Sequence, residues 1–293
     1  MSLVAVTRKD LTGARRSKSL WAVLLLLGGI GALFGYLVFA GSGDGTADPA
    51  RVRSTVAGLF RGVAFLVAAV VPIVALTVGY QAIAGERDSG GMAFLLSLPN
   101  SRGDVFFGKL VSRAVLVTAG VLLLFLLVTT AVVGDLLLTG SPLAVPAELV
   151  GGVVAGSVLY AVTFVALAVA VSSVFASRRR AVGGAIGAYF VTVVSYLLPG
   201  VGVASVVRAI HTDLLGFAAA PNLYAVADFT SPFVAYRKLL NLVLPADTQF
   251  APLRADHDPA WFLSDEFALV VFAAWLVVPT VVGYVRFRRA DLG

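Results

Sequence analysis

The sequence predicts an all-α integral membrane protein. It has six transmembrane helices, an N-terminal interfacial helix, a helix held in water between spans two and three, and a small outer helical cap between spans five and six. Three observations predict this. Of 293 residues, 59% are hydrophobic and 13% charged, and the mean hydropathy is +0.95, more apolar surface than a soluble domain of this length can hide. Six apolar stretches reach the roughly 20 residues a helix needs to cross a bilayer. Lys and Arg collect in alternate connections between those stretches, as in a chain threaded back and forth through a membrane. The whole of 1–293 is expected to form one transmembrane domain.

The elements follow in order. Residues 1–19 hold an amphipathic segment, with Leu3, Val6, Leu11 and Ala14 near one face and Arg8, Arg15 and Lys18 on the others. Such a helix rests in the interface and extends its cations to water. Arg15-Arg16 followed by an apolar run and Val38-Phe39-Ala40 could pass for an export signal. The run is too long for a signal core and five more spans follow, so the first span is expected to be retained. The spans are 20–40, 61–81, 111–133, 149–171, 181–198 and 267–285, and Pro72 inside the second predicts a kink. Gly31/Gly35, Gly152/Gly156 and Gly183/Gly187 are small-xxx-small pairs suited to close helix packing. The short connection at Ser177–Arg180 predicts a tight antiparallel pair of spans four and five.

Charge sets the orientation. The N-terminus, the second and fourth connections and the C-terminus carry fifteen cations against five anions; the remaining segments carry seven against eleven. By the positive-inside rule both termini are cytoplasmic, which an even number of spans requires. The basic excess therefore belongs to topology, and no nucleic-acid partner is expected.

The outer region 201–266 is not featureless. Pro199-Gly200 ends span five, Val201–Ile210 is too short to cross, and Ser231-Pro232 is a helix start. Phe233, Tyr236, Leu240 and Val243 follow at helical spacing before Pro245. This stripe predicts a compact cap packed on the outer ends of the spans.

Several chemistries are excluded. With no cysteine there is no disulfide or thiolate site. No Gly-rich loop ending in Lys-Ser/Thr is present, so the chain should not hydrolyse ATP and needs no cofactor of its own. Asp256-His257-Asp258 has metal-ligand residue types but lies in a polar loop without a second cluster, and no metal is expected there. No predicted span carries a central acidic or basic residue, which disfavours an ion-coupled transporter.

The most informative stretch lies between spans two and three. Glu86-Arg87-Asp88 cannot face lipid, because each charge would lose its hydration. Gly90-Gly91 allows a sharp bend, Met92–Leu96 form a short apolar patch, Pro99 stops it, and Ser101-Arg102-Gly103-Asp104 is a capping-box start for the next helix. That is the layout of a docking element held between two membrane helices. The run Gly85-Glu86-Arg87-Asp88-Ser89-Gly90-Gly91, then Leu95-Leu96-Ser97-Leu98-Pro99-Asn100-Ser101-Arg102 and Gly108-Lys109, resembles the hallmark of ABC-2-type permeases. There a Glu-Arg/Glu-x-x-Gly-Thr turn leads to Leu-Leu-x-x-Pro-x-Ser-Arg and Gly-Lys; here Gly91 stands where Thr is common. The chain is similar to archaeal, haloarchaeal in particular, permeases akin to that of the nitrous-oxide-reductase maturation transporter. Eighteen Arg against four Lys fit a high-salt organism.

The resemblance implies a plasma-membrane exporter subunit, working as a homodimer or with a second permease. A separate cytoplasmic ABC ATPase would supply ATP and Mg. It implies that the segment is a cytoplasmic coupling helix. Glu86, Arg87, Asp88, Ser89, Gly90 and Gly91 would meet the ATPase at its water-facing tip, and Met92, Phe94, Leu95 and Leu96 would be the apolar packing behind it. Two other classes fit the composition: a membrane assembly or scaffold protein without transport, and a nucleotide-independent secondary transporter or channel.

Overall fold

Helices carry the chain back and forth, in a computed structural model that describes residues 3–15, 18–41, 45–92, 101–198, 201–250 and 261–290. In order they are α1 (Leu3–Arg15), α2 (Lys18–Ala40), α3 (Pro49–Gly79), α4 (Ala84–Asp88), α5 (Arg102–Leu138), α6 (Ala147–Val174), α7 (Arg178–Leu197, with a π-helical turn at Phe190–Val194), α8 (Val203–Arg208, continued by a π-helical stretch, Ala209–Leu214), α9 (Pro221–Phe229), α10 (Pro232–Asn241) and α11 (Ala268–Arg289). Six of these, α2, α3 continued through α4, α5, α6, α7 and α11, are long and apolar enough to cross a membrane. The bundle has a near end, with α1, α4 and the last turn of α11, and a far end, with α8 to α10.

α3 starts twelve residues before the predicted span. Asp48 caps it by accepting from the Ala50 amide at 2.9 Å, and Pro49 occupies the first turn, where a missing N–H costs nothing. Arg51, Arg53 and Ser54 make that turn too polar to register as span. α5 starts as predicted: Ser101 Oγ accepts from the Asp104 amide and the Asp104 carboxylate accepts from the Ser101 amide.

Burial separates central from peripheral helices. In α3 and α6, 61% and 67% of the most apolar window is buried; in α2, α7 and α11 the figure is 22–28%. The outward faces of the peripheral helices carry Leu25, Leu33, Ile186, Phe190, Val277 and Val281, a surface suited to lipid. Pro72 helps tie the centre together. Lacking an N–H, it cannot bond the Ala68 carbonyl one turn back, and Tyr160 on α6 donates its hydroxyl to that carbonyl at 2.8 Å instead. Tyr189 on α7 does the same for Ala69 at 3.1 Å.

The glycine pairs divide. A Cβ on Gly31 would lie 2.7 Å from the Leu124 carbonyl, and Gly35 lies against Ala131, so the first pair brings α2 onto α5 as expected. Gly152 and Gly156 do not receive α7. A Cβ on Gly152 would meet Val243 at 2.5 Å and one on Gly156 would meet Leu240 at 3.2 Å, so this pair receives the far-end helix α10. Gly183 and Gly187 face open space. α6 instead packs tightly on α11, where Gly283 meets Ala170, and on α3, where Gly79 meets Ala168. The short α6–α7 connection makes the two neighbours in sequence without making them the closest pair.

The cap at the far end forms, and it is inserted into the bundle. Phe233, Tyr236 and Leu240 are buried. Tyr236 stacks on Tyr160 with ring centroids 4.4 Å apart, and Tyr160 lies about 20 Å along α6 from its first residue. α9 and α10 thus make a helical hairpin set into the far end of the bundle, with Thr230-Ser231 at its turn. Ser231 accepts from the Phe233 amide at 3.1 Å and donates to the Thr192 carbonyl at 2.9 Å, and Trp275 Nε1 donates to the Thr230 carbonyl at 2.6 Å. Asp256, His257 and Asp258 lie outside the described residues.

Candidate functional site

α3 does not run straight into α4. A turn at Tyr80–Ile83 interrupts it, and the break leaves the Ile83 and Ala84 amides without helical acceptors. Both donate to one hydroxyl, Ser172 Oγ of α6, at 2.9 and 3.0 Å. A buried amide without an acceptor would cost about 1–3 kcal/mol, so this serine fixes where the segment leaves the bundle. At the other end Gly90 adopts φ +74°, a left-handed conformation open to glycine, and closes the helix.

Between these points the charges turn inward. The Glu86 carboxylate accepts from Lys109 Nζ at 2.5 Å. Lys109 is 1% exposed, and its ammonium also lies 3.6 Å from Asp10 of α1. Asp10 in turn accepts from Ser112 Oγ at 3.1 Å and pairs with Arg113 at 3.6 Å. One buried ammonium thereby joins α1, α4 and α5. Arg87 lies over the Phe287 ring at 5.6 Å and donates to the Ser173 carbonyl at 3.3 Å, which ties α4 to α11 and α6. Glu86 and Arg87 are half-buried, the Glu86 carboxylate on Lys109 and the Arg87 guanidinium on Phe287 and Ser173, so the outermost positions of the segment lie just beyond them. Asp88, Ser89 and Gly90 are the exposed tip, Gly91 is half-buried, and Met92 is buried behind it. Phe94, Leu95 and Leu96 lie outside the described residues.

Neighbouring contacts reinforce the brace. α1 lies so close to α5 that a Cβ on Gly108 would meet Val6 at 2.8 Å. Arg102, in the first turn of α5, donates to the carbonyls of Phe287, Arg288 and Ala290 at 3.3, 2.7 and 2.8 Å, and so caps α11. Phe106 and Phe107 of α5 pack on Tyr284, and Phe106 also on Phe287. α4 is therefore keyed to α1, α5, α6 and α11 together.

Sequence reasoning placed the segment and missed its brace. Asp10, Ser172 and Phe287 gave no signal, because their partners lie dozens of positions or more away. Lys109 stood within the Gly-Lys pair quoted above, and a lysine next to a glycine where another helix crosses was the clue to a buried strut.

A family model described as ABC-2 family transporter protein matches residues 4–292. "Probable ABC transporter permease protein NosY" of Pseudomonas aeruginosa is 29% identical over 185 residues, 63% of this chain and 64% of that protein. The protein of the same name from Stutzerimonas stutzeri is 29% identical over 193 residues, 65% of this chain and 66% of that protein. The chain thus spans a little under two thirds of the length of these relatives. The match over nearly every residue, together with the motif that the braced segment carries, places the chain in the ABC-2 family of transporters.

Proposed function

We propose that this chain is the membrane-spanning permease subunit of an ABC transporter that exports its substrate, driven by a separate cytoplasmic ATPase that holds the ATP and Mg. The observation that carries this is the braced segment with an exposed tip: Glu86, Arg87 and Met92 are engaged within the bundle, while Asp88, Ser89 and Gly90 are exposed and, among the described residues, have no side-chain contact to another helix. A tip of this kind can dock in a partner's groove, and the brace behind it passes the motion on. The near end is taken as cytoplasmic from the concentration of cations there. Both termini then lie in the cytoplasm, and the pairing partner in the membrane is a second copy or a related permease.

Two measurements test this. With the cognate ATPase co-expressed, Asp88→Lys/Ser89→Lys should weaken co-purification and lower stimulated ATP hydrolysis about tenfold, equivalent to roughly 1.4 kcal/mol of docking energy. Thermal stability in detergent should not change, because both side chains are exposed. Wild-type assembly in the double variant would end the docking assignment, and ion-driven flux without nucleotide would favour a secondary transporter. Because the chain has no cysteine, Ser89→Cys and Asp247→Cys are clean reporters of sidedness. An impermeant thiol reagent added outside should reach only the second.

A further inference from the structure

Behind the braced segment, between α4, α6 and α11, lies a cavity of about 450 Å³ lined by Arg87, Ser173, Val174, Arg286 and Arg289 among others. Three guanidiniums border one small space, yet among the described residues none makes an ion pair with a carboxylate. Among the described residues the salt bridges belong to Lys109, Arg113 and Lys238. Arg87 keeps a single hydrogen bond, to the Ser173 carbonyl, while its Nε and Nη2 are buried with no acceptor. Buried donors of this kind ordinarily have a partner, and an orphaned one calls for a water or an ion. The C-terminal carbonyls of α11 would normally repel an anion here, but Arg102 already takes three of them. Among the described residues, what remains at the cavity is positive charge without a carboxylate partner, beside the apolar Val174 and Val285.

We propose that this cavity binds a phosphate-class oxyanion, a phosphodiester or phosphate held by Arg286 and Arg289 at its rim and by the charge of Arg87 at its back. Guanidinium forks match phosphate oxygens in geometry and charge. Basic pockets between membrane helices at the cytoplasmic headgroup level are suited to anionic lipid. Bound there, the anion neutralises Arg87 and stiffens the contact between α4 and α11. Its binding rests on the near end facing the cytoplasmic leaflet, but not on ATPase docking.

The test uses the full-length chain in maltoside micelles, stripped of lipid by extended washing, and reads thermal unfolding. Three additions are compared at matched ionic strength: phosphatidylglycerol, phosphatidylcholine and inorganic phosphate, with chloride as reference. Phosphatidylglycerol should raise the melting temperature above phosphatidylcholine and chloride. A rise with inorganic phosphate as well identifies a free oxyanion as a sufficient ligand; a rise with the lipid alone identifies a headgroup. In Arg286→Gln/Arg289→Gln, whose side chains are exposed at the rim, the half-saturating concentration should rise about tenfold or more. Its melting temperature without anion should equal that of the wild type. Arg179→Gln, an exposed arginine of the same end outside the cavity, should respond as wild type. The proposal is overturned if no anion outperforms chloride, if the double variant responds like wild type, or if Arg179→Gln loses the response equally. A double variant that melts lower without any anion also overturns it, because the arginines would then be structural. Docking of the ATPase plays no part in this readout, so its failure and the failure of the transporter assignment are distinguishable.

Discussion

The two ends of the bundle hold their accessory helices by a different balance of charge and packing. At the near end α1 and α4 are joined to the spans through a buried ammonium, two carboxylates and two arginines. At the far end α9 and α10 are joined mainly through ring stacking, glycine-lined grooves and neutral hydrogen bonds, with one ion pair, Lys238 to Asp265 at 2.6 Å, between α10 and the segment before α11. Buried ion pairs give little net stability, since desolvation offsets most of the attraction, but they fix register and are costly to half-remove. Apolar and aromatic burial contributes stability directly. The near end is therefore built to hold a register, and the far end to stay folded as a wedge. This contrast can be broken one contact at a time.

The largest effect is expected at Lys109. Lys109→Met leaves Glu86 and Asp10 facing each other without the cation between them, and breaking a buried pair in this way costs about 3 kcal/mol. Thermal unfolding should shift down, and protease should cut α1 at Arg8 and Lys9 faster than in the wild type. Adding Glu86→Gln should recover part of the loss, because the orphaned charge is then gone. If the single variant is as stable as wild type and α1 stays protected, the near end is held by Val6 and Gly108 packing alone, and the contrast fails.

A smaller effect sharpens the other side. Ser157 donates to the Val153 carbonyl at 2.7 Å, so its proton is committed and Tyr236 must donate across the 2.6 Å contact between the two hydroxyls. Tyr236→Phe removes that donor and leaves the ring stack intact, at a cost of about 1 kcal/mol. Ser157→Ala instead strands a buried phenol hydroxyl and should cost more, about 2 kcal/mol. Calorimetry of the two variants in one detergent checks the order. The reverse order would mean that the serine, not the tyrosine, is the donor.

What could be foreseen from the sequence divides along the same line. Hydropathy finds the six spans because crossing a bilayer is a local demand on some twenty consecutive residues. Caps at Ser101 and Ser231 are local too, and both hold. The early start of α3 was written at Asp48-Pro49 but hidden by the arginines after it. Glu86-Arg87-Asp88 read as three water-facing charges, since composition does not say which way each side chain turns. The helical twist sends the first two inward and leaves the third outside. The Asp10–Lys109 pair and the Tyr160–Tyr236 stack join residues 99 and 76 positions apart, and nothing in a single sequence marks such pairs. For the same reason the stripe on α10 foretold a buried face, whereas its depth beside Tyr160 depended on where Gly152 and Gly156 left room.

The smallest expected effect concerns a charge that the far end does keep. Asp228, at the end of α9, accepts from the Ala204 amide at 3.2 Å and so holds α8 to the hairpin. Burial pushes its carboxyl above the ordinary range, against the opposing pull of the Ala204 amide and of Arg208. A carboxyl whose folded value is raised binds its proton more tightly in the folded than in the unfolded chain. Its contribution to stability is then greatest when protonated and falls as pH rises through the folded value. Melting followed between about pH 4 and 8 should therefore show a component that weakens toward neutral pH. Asp228→Asn keeps an acceptor for the Ala204 amide and cannot ionise, so it should flatten that component and make the protein slightly more stable at the alkaline end. A wild-type slope in the variant would assign the pH dependence to other groups. Within the far end it would move the question to Asp265, whose carboxylate pairs with Lys238 of α10 at 2.6 Å.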